Sequence, residues 1–253
     1  VAFFCDMGEL YNENLAWVYD EIYQGFIDYS AEYEFYKYLC NDYNCNRVLE
    51  IACGTGNLAK SFTSDFSTYV GLDFSESMLN IAKEKFPAGN FIQGDMRHLN
   101  FVKHFDTILI TGRSTSYLLN NTDLKKTFKS VHNALEDKGI FIFDCINANL
   151  FISYIIKNSS VVHKSTYNKK QFERDSYWVK NKNNNYHLID WKSTYYQLND
   201  SEKKVLGEDS TLFRVFSIKE ITEALQHSGF NILEIKDRET YAFDTNVYIC
   251  QKK

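Results

Sequence analysis

Two glycines that follow an acidic residue are the clearest chemical signal in the chain. Glu50 lies near the end of an apolar run, and Gly54 and Gly56 form a tight turn before a helical stretch begins at Asn57. Glycine accepts a positive φ and has no Cβ, so a turn of this kind lets the backbone approach a ligand closely. A Gly-x-Gly pair also occurs in ordinary strand-to-helix turns, so the rest of the chain must decide between the two interpretations.

Acidic and small residues also follow three later apolar runs. Asp73 follows the second run, residues 94–97 follow the third, and residues 111–114 follow the fourth. The carboxyl ends of parallel strands meet at one edge of an open α/β sheet, and ligands bind there. Asp73 or Asp95 alone would equally serve as a helix cap or turn former. Their order along the chain favours one composite site, in which Asp73 can bind both hydroxyls of a ribose.

The elements that must position these residues alternate in type. The predicted strands are residues 47–52, 69–73, 90–93, 105–110 and 139–144. The predicted helices between them are residues 57–64, 76–85 and 123–135. Such alternation implies right-handed crossovers and a sheet with both faces covered. We therefore predict an α/β fold with a doubly wound, Rossmann-like sheet that is mostly parallel.

The flanking segments follow other patterns. Apolar residues at helical spacing over 15–26 and 33–39 predict two N-terminal helices. Residues 160–215 alternate aromatic and polar side chains around a polar loop at 181–185, which predicts antiparallel hairpins. The closing elements are a helix at 217–228 and strands at 230–236 and 245–251.

These patterns predict three parts. Residues 1–40 would form a helical lid, and residues 41–147 with 214–253 a cofactor-binding core. Residues 148–213 would form a small, β-rich antiparallel insertion that covers the substrate.

Composition narrows the function. The 253 residues carry a net charge of −5 and no Lys/Arg run longer than two, which disfavours a nucleic-acid partner. No apolar stretch approaches the roughly 20 residues of a membrane span, and residues 1–6 are not typical of a signal peptide. The six cysteines lack metal-ligand spacing. We expect a cytoplasmic protein with reduced cysteines, without a membrane partner and without a bound metal.

The ordered motifs resemble those of the class I S-adenosylmethionine-dependent methyltransferases over about residues 45–146. Residues 49–56 match the first motif of that family, with Ala52 where many members have glycine. The resemblance implies S-adenosyl-L-methionine as cofactor and S-adenosyl-L-homocysteine as product. The implied cofactor-binding residues are Tyr19, Glu50, Ala52, Gly54, Gly56, Asn57, Asp73, Phe74, Met78, Gly94, Asp95, Met96, Thr111 and Gly112. The resemblance implies that the turn at 54–56 contacts the amino-acid part of the cofactor and that Asp73 binds its ribose. It also implies that Phe74, Met78, Asp95 and Met96 contact the adenine, and that Thr111 and Gly112 lie near the sulfonium.

An NAD-binding Rossmann domain is the main competing interpretation. Its motif needs a third glycine three positions after Gly56, and this chain has Ala59 there. Alanine is sometimes accepted at that position, so the test favours the methyltransferase without deciding. Asp95 and Glu50 favour it as well.

The N-terminal helix indicates the class of acceptor. Its Tyr-Asp-x-x-Tyr segment, Tyr19 to Tyr23, resembles the lid helix of small-molecule N-methyltransferases, including glycine N-methyltransferases and the N,N-dimethyltransferases of nucleotide-linked amino sugars. This resemblance implies that Tyr19 or Tyr23 approaches the transferable methyl group and the acceptor. The alternative is that both rings only pack as the apolar face of the helix. Arg113 is a candidate for binding a phosphate or carboxylate of the acceptor, whereas Arg214 and Arg238 are assigned to the surface.

We therefore predict an S-adenosylmethionine-dependent enzyme that N-methylates a small amine, such as a nucleotide-linked amino sugar. One alternative is an O-methyltransferase of a hydroxylated or carboxylated metabolite, which would need a base. The histidines considered for that base are His98, His163 and His187. A second alternative is a non-catalytic nucleotide-cofactor-binding protein. The sequence leaves the oligomeric state open, with a homodimer among the alternatives.

Overall fold

A seven-stranded and a four-stranded sheet organise the structure, a computed structural model that describes residues 8–181, 186–199, 202–240 and 243–253. The strands are β1 (Arg47–Ile51), β2 (Thr68–Asp73), β3 (Phe91–Gln93), β4 (Phe105–Ile110), β5 (Leu135–Ile146), β6 (Ser160–Tyr167), β7 (Lys170–Lys180), β8 (Leu188–Asn199), β9 (Glu202–Arg214), β10 (Phe230–Arg238) and β11 (Thr245–Lys252). The α-helices are α1 (Ala16–Gln24), α2 (Tyr29–Asp42), α3 (Ala59–Asp65), α4 (Glu76–Lys85), α5 (Asn121–Ala134), α6 (Ala148–Lys157) and α7 (Ile218–His227).

The larger sheet is doubly wound. Its order is β10-β11-β5-β4-β1-β2-β3, and the neighbours among strands β1 to β5 pair in parallel. Strand β11 runs antiparallel to both β5 and β10. The order reverses between β1 and β4, and this reversal opens a crevice at the carboxyl ends of the strands. The predicted α/β class and the mostly parallel sheet are confirmed.

Helices cover both faces of this sheet. On one face, Phe62 of α3 and Leu79 of α4 belong to a buried cluster that α2 completes. On the other face, Phe128 of α5 and Leu225 of α7 pack into a second cluster. Strands with both faces buried are expected to be apolar throughout, which is how the sequence shows them.

The smaller sheet is antiparallel, with the order β6-β7-β8-β9. Hairpins were predicted in this region, but the helix α6 was not. The Asn147 side chain caps α6 by accepting hydrogen bonds from the backbone N–H groups of Asn149 and Leu150 at 3.0 and 3.2 Å. Phe151 and Ile155, four residues apart, bury its apolar side. This cap and spacing were a readable helix signal.

The helix α1 packs against the smaller sheet. Val18 and Ile22 share a buried cluster with Phe172 of β7 and Tyr195 of β8. The division into lid, core and insertion remains our prediction. Residues 1–7 and 182–185, and with them the predictions about the N-terminus and most of the polar loop, lie outside the described residues.

The cysteines are consistent with their predicted role as small apolar side chains. Each one that the structure describes is buried and has a free thiol: Cys40, Cys45, Cys53, Cys145 and Cys250. Within the described ranges, no helix is long and apolar enough to cross a bilayer.

Candidate active site

A cleft lies where the parallel strands end, with α1 and the smaller sheet on its far side. All but one of the predicted site residues line it: Tyr19, Tyr23, Glu50, Ala52, Gly54, Asn57, Asp73, Phe74, Met78, Gly94, Asp95, Met96, Thr111, Gly112 and Arg113. The crossover topology therefore brings together residues that are almost a hundred positions apart in the chain.

Gly56 is the predicted residue that does not line the cleft. Its φ is 70°, and a Cβ there would lie 3.0 Å from both the Cβ of Ala82 and a ring carbon of Phe91. Glycine is needed at this position because helix α4 and strand β3 pack against the turn. The assignment of Gly56 to the cofactor site stays a prediction, while its packing role is visible in the structure.

Gly54 and Gly112 border open space in the cleft. Their φ angles are 55° and 66°, and a Cβ built on either would meet no atom within 4 Å. These two turns form a cradle that side chains would partly fill, so they fit the cofactor that the resemblance implies. Ala52 has a φ of 59°, in the left-handed region that glycine prefers. This explains the glycine that many related sequences have there.

Asp73 shapes the cradle. Its carboxylate accepts hydrogen bonds from the backbone N–H groups of Gly54 and Ser75, each at 2.8 Å. Burial raises the pKa of Asp73, and these backbone bonds oppose the rise. The Ser75 hydroxyl then caps α4 by accepting from the N–H of Met78 at 3.1 Å. Asp73 therefore positions the turn at Gly54 besides lining the cleft.

Glu50 is buried beneath the same cradle, with 2% of its surface exposed. Tyr69 donates a hydrogen bond to its carboxylate, and the Thr111 hydroxyl does so at 3.3 Å. Burial raises the pKa of Glu50 to about 7. The hydrogen bonds from Tyr69 and Thr111 lower this pKa, whereas the negative charge of Asp73 raises it. Such a carboxyl changes protonation near neutral pH.

Asp95 is engaged in an ion pair. Its two oxygens accept from Nε and Nη2 of Arg97 at 2.7 to 3.0 Å. Burial alone would raise the pKa of Asp95, but the bonds from Arg97 leave it below the ordinary value. Arg97 also faces Asp123 at 3.4 Å. The carboxylate lines the cleft, as predicted, in a fixed orientation.

Aromatic rings of the N-terminal segment cover this part of the cleft. Tyr19 stacks on Tyr23, with centroids 4.2 Å apart. Tyr11, which also lines the cleft, shares a hydrogen bond of 2.6 Å with the hydroxyl of Tyr117. The N-terminal segment thus presents several phenol groups to whatever occupies the cleft.

A polar latch joins α1 to the glycine turn. Asp20 accepts hydrogen bonds from the Thr55 hydroxyl at 2.5 Å and from the Lys85 ammonium at 2.6 Å. Gln24, one turn further along α1, donates to the Asn57 side chain at 2.6 Å. These contacts hold the helix over the cradle.

Three charged residues at the other end of the cleft were missed or misassigned. Asp144, near the end of β5, was not named as a site residue, although it ends the fifth predicted strand as Asp73 ends the second. Arg174 is 1% exposed. It lies two residues from both Phe172 and Ser176 along β7, so its side chain shares their buried face, and this spacing could have identified it. Arg238 was assigned to the surface, yet it lines the cleft and is fixed by Glu32.

The surface assignment of Arg214 was also wrong. Its side chain is fully buried, donates to the Asn121 side chain at 2.7 Å and pairs with Glu220 at 2.8 Å. The rings of Tyr186 and Phe216 lie 4.2 and 4.5 Å from its guanidinium carbon. Arg214 does not line the cleft and stabilises the start of α7 instead.

The histidines considered as bases lie differently from one another. His98 is exposed and does not line the cleft, and neither does His187. His163 lies behind the cleft wall, with its Nδ1 3.2 Å from Nη2 of Arg174. Burial, together with the charges of Arg174 and Arg113, lowers the pKa of His163 to about 4.

Comparisons with known proteins agree with this arrangement. A family model described as a methyltransferase domain matches residues 48–139. A protein of Geobacillus sp. (strain WCH70) that bears a methyltransferase name is 25% identical over 230 residues, 88% of this chain and 90% of that protein.

One further sequence match and one solved structure come from Streptomyces venezuelae. The dTDP-3-amino-3,4,6-trideoxy-alpha-D-glucopyranose N,N-dimethyltransferase is 31% identical over 138 residues, 53% of this chain and 58% of that protein. The chain thus spans little more than half of that relative. The crystal structure of DesVI superimposes with a TM-score of 0.80 at 22% identity over 94% of this chain and 98% of that one, a likeness of fold.

The glycine cradle, the acidic strand ends and the matched domain agree with one another, and they set aside the NAD-binding and non-catalytic alternatives. Residues 48–139 form a methyltransferase domain, and the protein is an enzyme whose cofactor is S-adenosylmethionine.

Proposed function

We propose that this enzyme N-methylates an amine of a small molecule, with a nucleotide-linked amino sugar as the first acceptor to test. The observation that carries the proposal is the make-up of the cleft walls. Tyr23 of α1, Trp191 of β8 and Asp144 of β5 all line the cleft. A concave site whose walls come from several packed elements favours a small acceptor over a macromolecule.

The cofactor supplies a methyl group on a sulfonium, which is transferred to a nucleophile in line. The residues of this chain bind and orient the two partners and exclude water. In our proposal, the cradle at Gly54 and Gly112 binds the amino-acid part of the cofactor and the region near its sulfonium. Asp73 binds the ribose, and Phe74 and Met78 border the adenine.

Charge at the acceptor end favours an amine. Asp144 is 4% exposed, and burial raises its pKa to about 6, although Arg113 opposes the rise. A carboxylate beside the cleft attracts a protonated amine, and a group that titrates near neutral pH can accept the proton that the amine must lose. We assign this role to Asp144.

Tyr19 and Tyr23 are proposed to contact the acceptor and the transferable methyl group. Both line the cleft, and their stacked rings place two hydroxyl groups on its lid side. The amino-sugar N,N-dimethyltransferases of Streptomyces venezuelae and Streptomyces fradiae, which are 31% and 29% identical to this chain over 138 and 117 residues, support an amine acceptor.

The test is product detection by mass spectrometry with S-adenosylmethionine and a panel of amines that includes dTDP-linked amino sugars. We expect a product that carries one or two added methyl groups on nitrogen. Tyr23→Phe and Asp144→Asn should each lower kcat by about tenfold or more. Tyr38→Phe, at a tyrosine that is 60% exposed and outside the cleft, is the matched control. Transfer only to hydroxyl or carboxylate acceptors would refute the proposal and support the O-methyltransferase alternative.

A further inference from the structure

Arg174 gives the acceptor end of the cleft a buried cationic group. It comes from β7 of the smaller sheet, lines the cleft and is 1% exposed. Its Nη1 donates to the hydroxyl of Tyr23 at 2.7 Å, and its Nη2 lies 3.2 Å from Nδ1 of His163. The guanidinium plane is therefore fixed before any acceptor arrives.

Aromatic rings surround the same guanidinium. Its central carbon lies 5.1 Å from the ring centroid of Phe26, 5.4 Å from that of Tyr23 and 5.5 Å from that of Trp191. Contacts of this kind stabilise a cation in an apolar setting and reduce the freedom of the side chain. A preorganised guanidinium loses little entropy when it binds an anion.

A second arginine reaches this region from the other sheet. Arg113 follows β4 and has a φ of 65°, and its backbone N–H donates to Asp144 at 2.7 Å. Arg113 and Arg174 both line the cleft. Two cationic groups, one from the loop after β4 and one from β7, thus border the same space.

The third arginine at this end has a different role. Arg238 forms two hydrogen bonds with Glu32, at 2.8 and 3.0 Å. This ion pair neutralises the charges of both Arg238 and Glu32 within the protein. The carboxylate of Asp144 belongs to β5 of the larger sheet and accepts from the N–H of Arg113 at 2.7 Å, whereas Arg174 belongs to β7 of the smaller sheet. The carboxylate and the Arg174 guanidinium thus reach the cleft from different sheets.

We propose that Arg174, with Arg113, binds an anionic group of the acceptor, a phosphate or a carboxylate, while its amine faces Asp144. A guanidinium donates two parallel hydrogen bonds to either anion, so the shared chemistry is bidentate oxyanion recognition. This inference rests on the proposed N-methyltransferase function, because it names the second charged group that the amine acceptor carries.

The test measures anion binding by calorimetry, with S-adenosylhomocysteine present so that no methyl group can be transferred. The probes are inorganic pyrophosphate, thymidine diphosphate and glycine. We expect one class of anion to bind the wild-type protein, and Arg174→Gln to weaken that binding by about tenfold or more. Arg174→Lys, which keeps the charge without the forked geometry, should restore it in part. Selective binding of the two phosphates or of glycine identifies the anion.

Arg47→Gln is the matched control, since Arg47 lies outside the cleft and pairs with Asp106 and Glu136 at the surface. Circular dichroism and S-adenosylhomocysteine affinity report whether each variant is folded. The inference is wrong if none of the probes binds the wild-type protein, a result that needs no variant. Equal affinity in the wild-type protein and the folded Arg174 variants would overturn it too.

The same samples separate the two proposals. Arg174-dependent anion binding without transfer to any amine would retain the anion site and refute N-methylation. If the wild-type and Arg174→Gln proteins transfer methyl groups to amines equally well, N-methylation would be retained and the anion site refuted.

Discussion

The carboxylate of Asp73, at the end of β2, accepts a hydrogen bond from the backbone N–H of Gly54, 2.8 Å away in the turn after β1. One acidic side chain thus fixes the backbone of the neighbouring strand end, and its second oxygen does the same for Ser75. Because both strand ends border the cleft, the shape of the cofactor cradle depends on this carboxylate.

Asp73→Ala should therefore weaken the binding of S-adenosylhomocysteine by about tenfold or more, because two buried N–H groups lose their acceptor at a cost of about 1–3 kcal/mol each. Asp73→Asn keeps one acceptor oxygen, so its affinity for S-adenosylhomocysteine should lie between those of Asp73→Ala and the wild-type protein. Calorimetric titration measures both affinities. Equal affinities in all three proteins would contradict the role of Asp73 in the cradle.

The two glycines of the first turn should respond differently to alanine. Gly54→Ala places a methyl group in open cleft space, so we expect weaker cofactor binding with a loss of about 1–2 kcal/mol in the free energy of unfolding from the positive φ. Gly56→Ala forces a Cβ to within 3.0 Å of Ala82 and Phe91, so its loss of stability should be larger.

Urea unfolding and S-adenosylhomocysteine titration, performed on both variants, separate these effects. The expected order of stability is wild type, Gly54→Ala, Gly56→Ala. If Gly54→Ala left the cofactor affinity unchanged, the cradle would not extend to that position.

The stability of the cofactor-free protein should depend on the ionisation of Glu50. Its pKa is about 7 in the folded protein, against an ordinary value of about 4.3 in the unfolded chain. Between these values the folded state retains a proton that the unfolded state has released, so the free energy of unfolding falls as pH rises towards 7. Burial of the charged form disfavours folding above that pH.

Glu50→Gln should reduce the fall in Tm between pH 5 and pH 8. Asp144, with a pKa of about 6, titrates in the same direction and leaves a residual slope. Thermal melts across this range measure the effect, and Glu84→Gln, at an exposed glutamate, serves as the control. A slope identical to wild type in Glu50→Gln would exclude Glu50 as its source.

The polar latch should slow release of the cofactor product. Asp20→Ala removes the acceptor of Thr55 and Lys85, so we expect S-adenosylhomocysteine to dissociate several-fold faster. The free energy of unfolding should change by only about 1 kcal/mol or less, as for other partly exposed ion pairs. Stopped-flow fluorescence gives the dissociation rate.

Asp137→Ala is the control for the latch, because its pair with Lys103 is exposed and distant from α1. An unchanged dissociation rate in Asp20→Ala would show that α1 opens without breaking these contacts, or that it does not limit release.

Most of the fold was predictable from local patterns. The predicted strands at 47–52 and 105–110 correspond to Arg47–Ile51 and Phe105–Ile110, because continuous apolar runs that end at turn residues are typical of buried parallel strands. The helix α6 was missed because the aromatic alternation that follows it dominated the interpretation of its region.

Arginines held away from solvent were the systematic failure: Arg174 and Arg214 are buried, and Arg238 is half-buried. Arg174, Arg214 and Arg238 are each fixed by partners distant in the chain, such as Tyr23 for Arg174 and Glu32 for Arg238. A sequence pattern places arginine at the surface because an unpaired buried charge is costly. Only the assembled structure supplies the hydroxyls, carboxylates and rings that offset this cost.

Residue type and short spacing were enough to predict the order of strands and helices, the glycine turn and the acidic strand ends. Long-range packing decided which glycine faces the cleft and which packs, since Gly54 and Gly56 both have positive φ and differ only in their surroundings. It also decided the composition of the acceptor end. There, Asp144 and Arg174 line one cleft from two different sheets, because α1 and the smaller sheet pack over the strand ends and bring distant residues together.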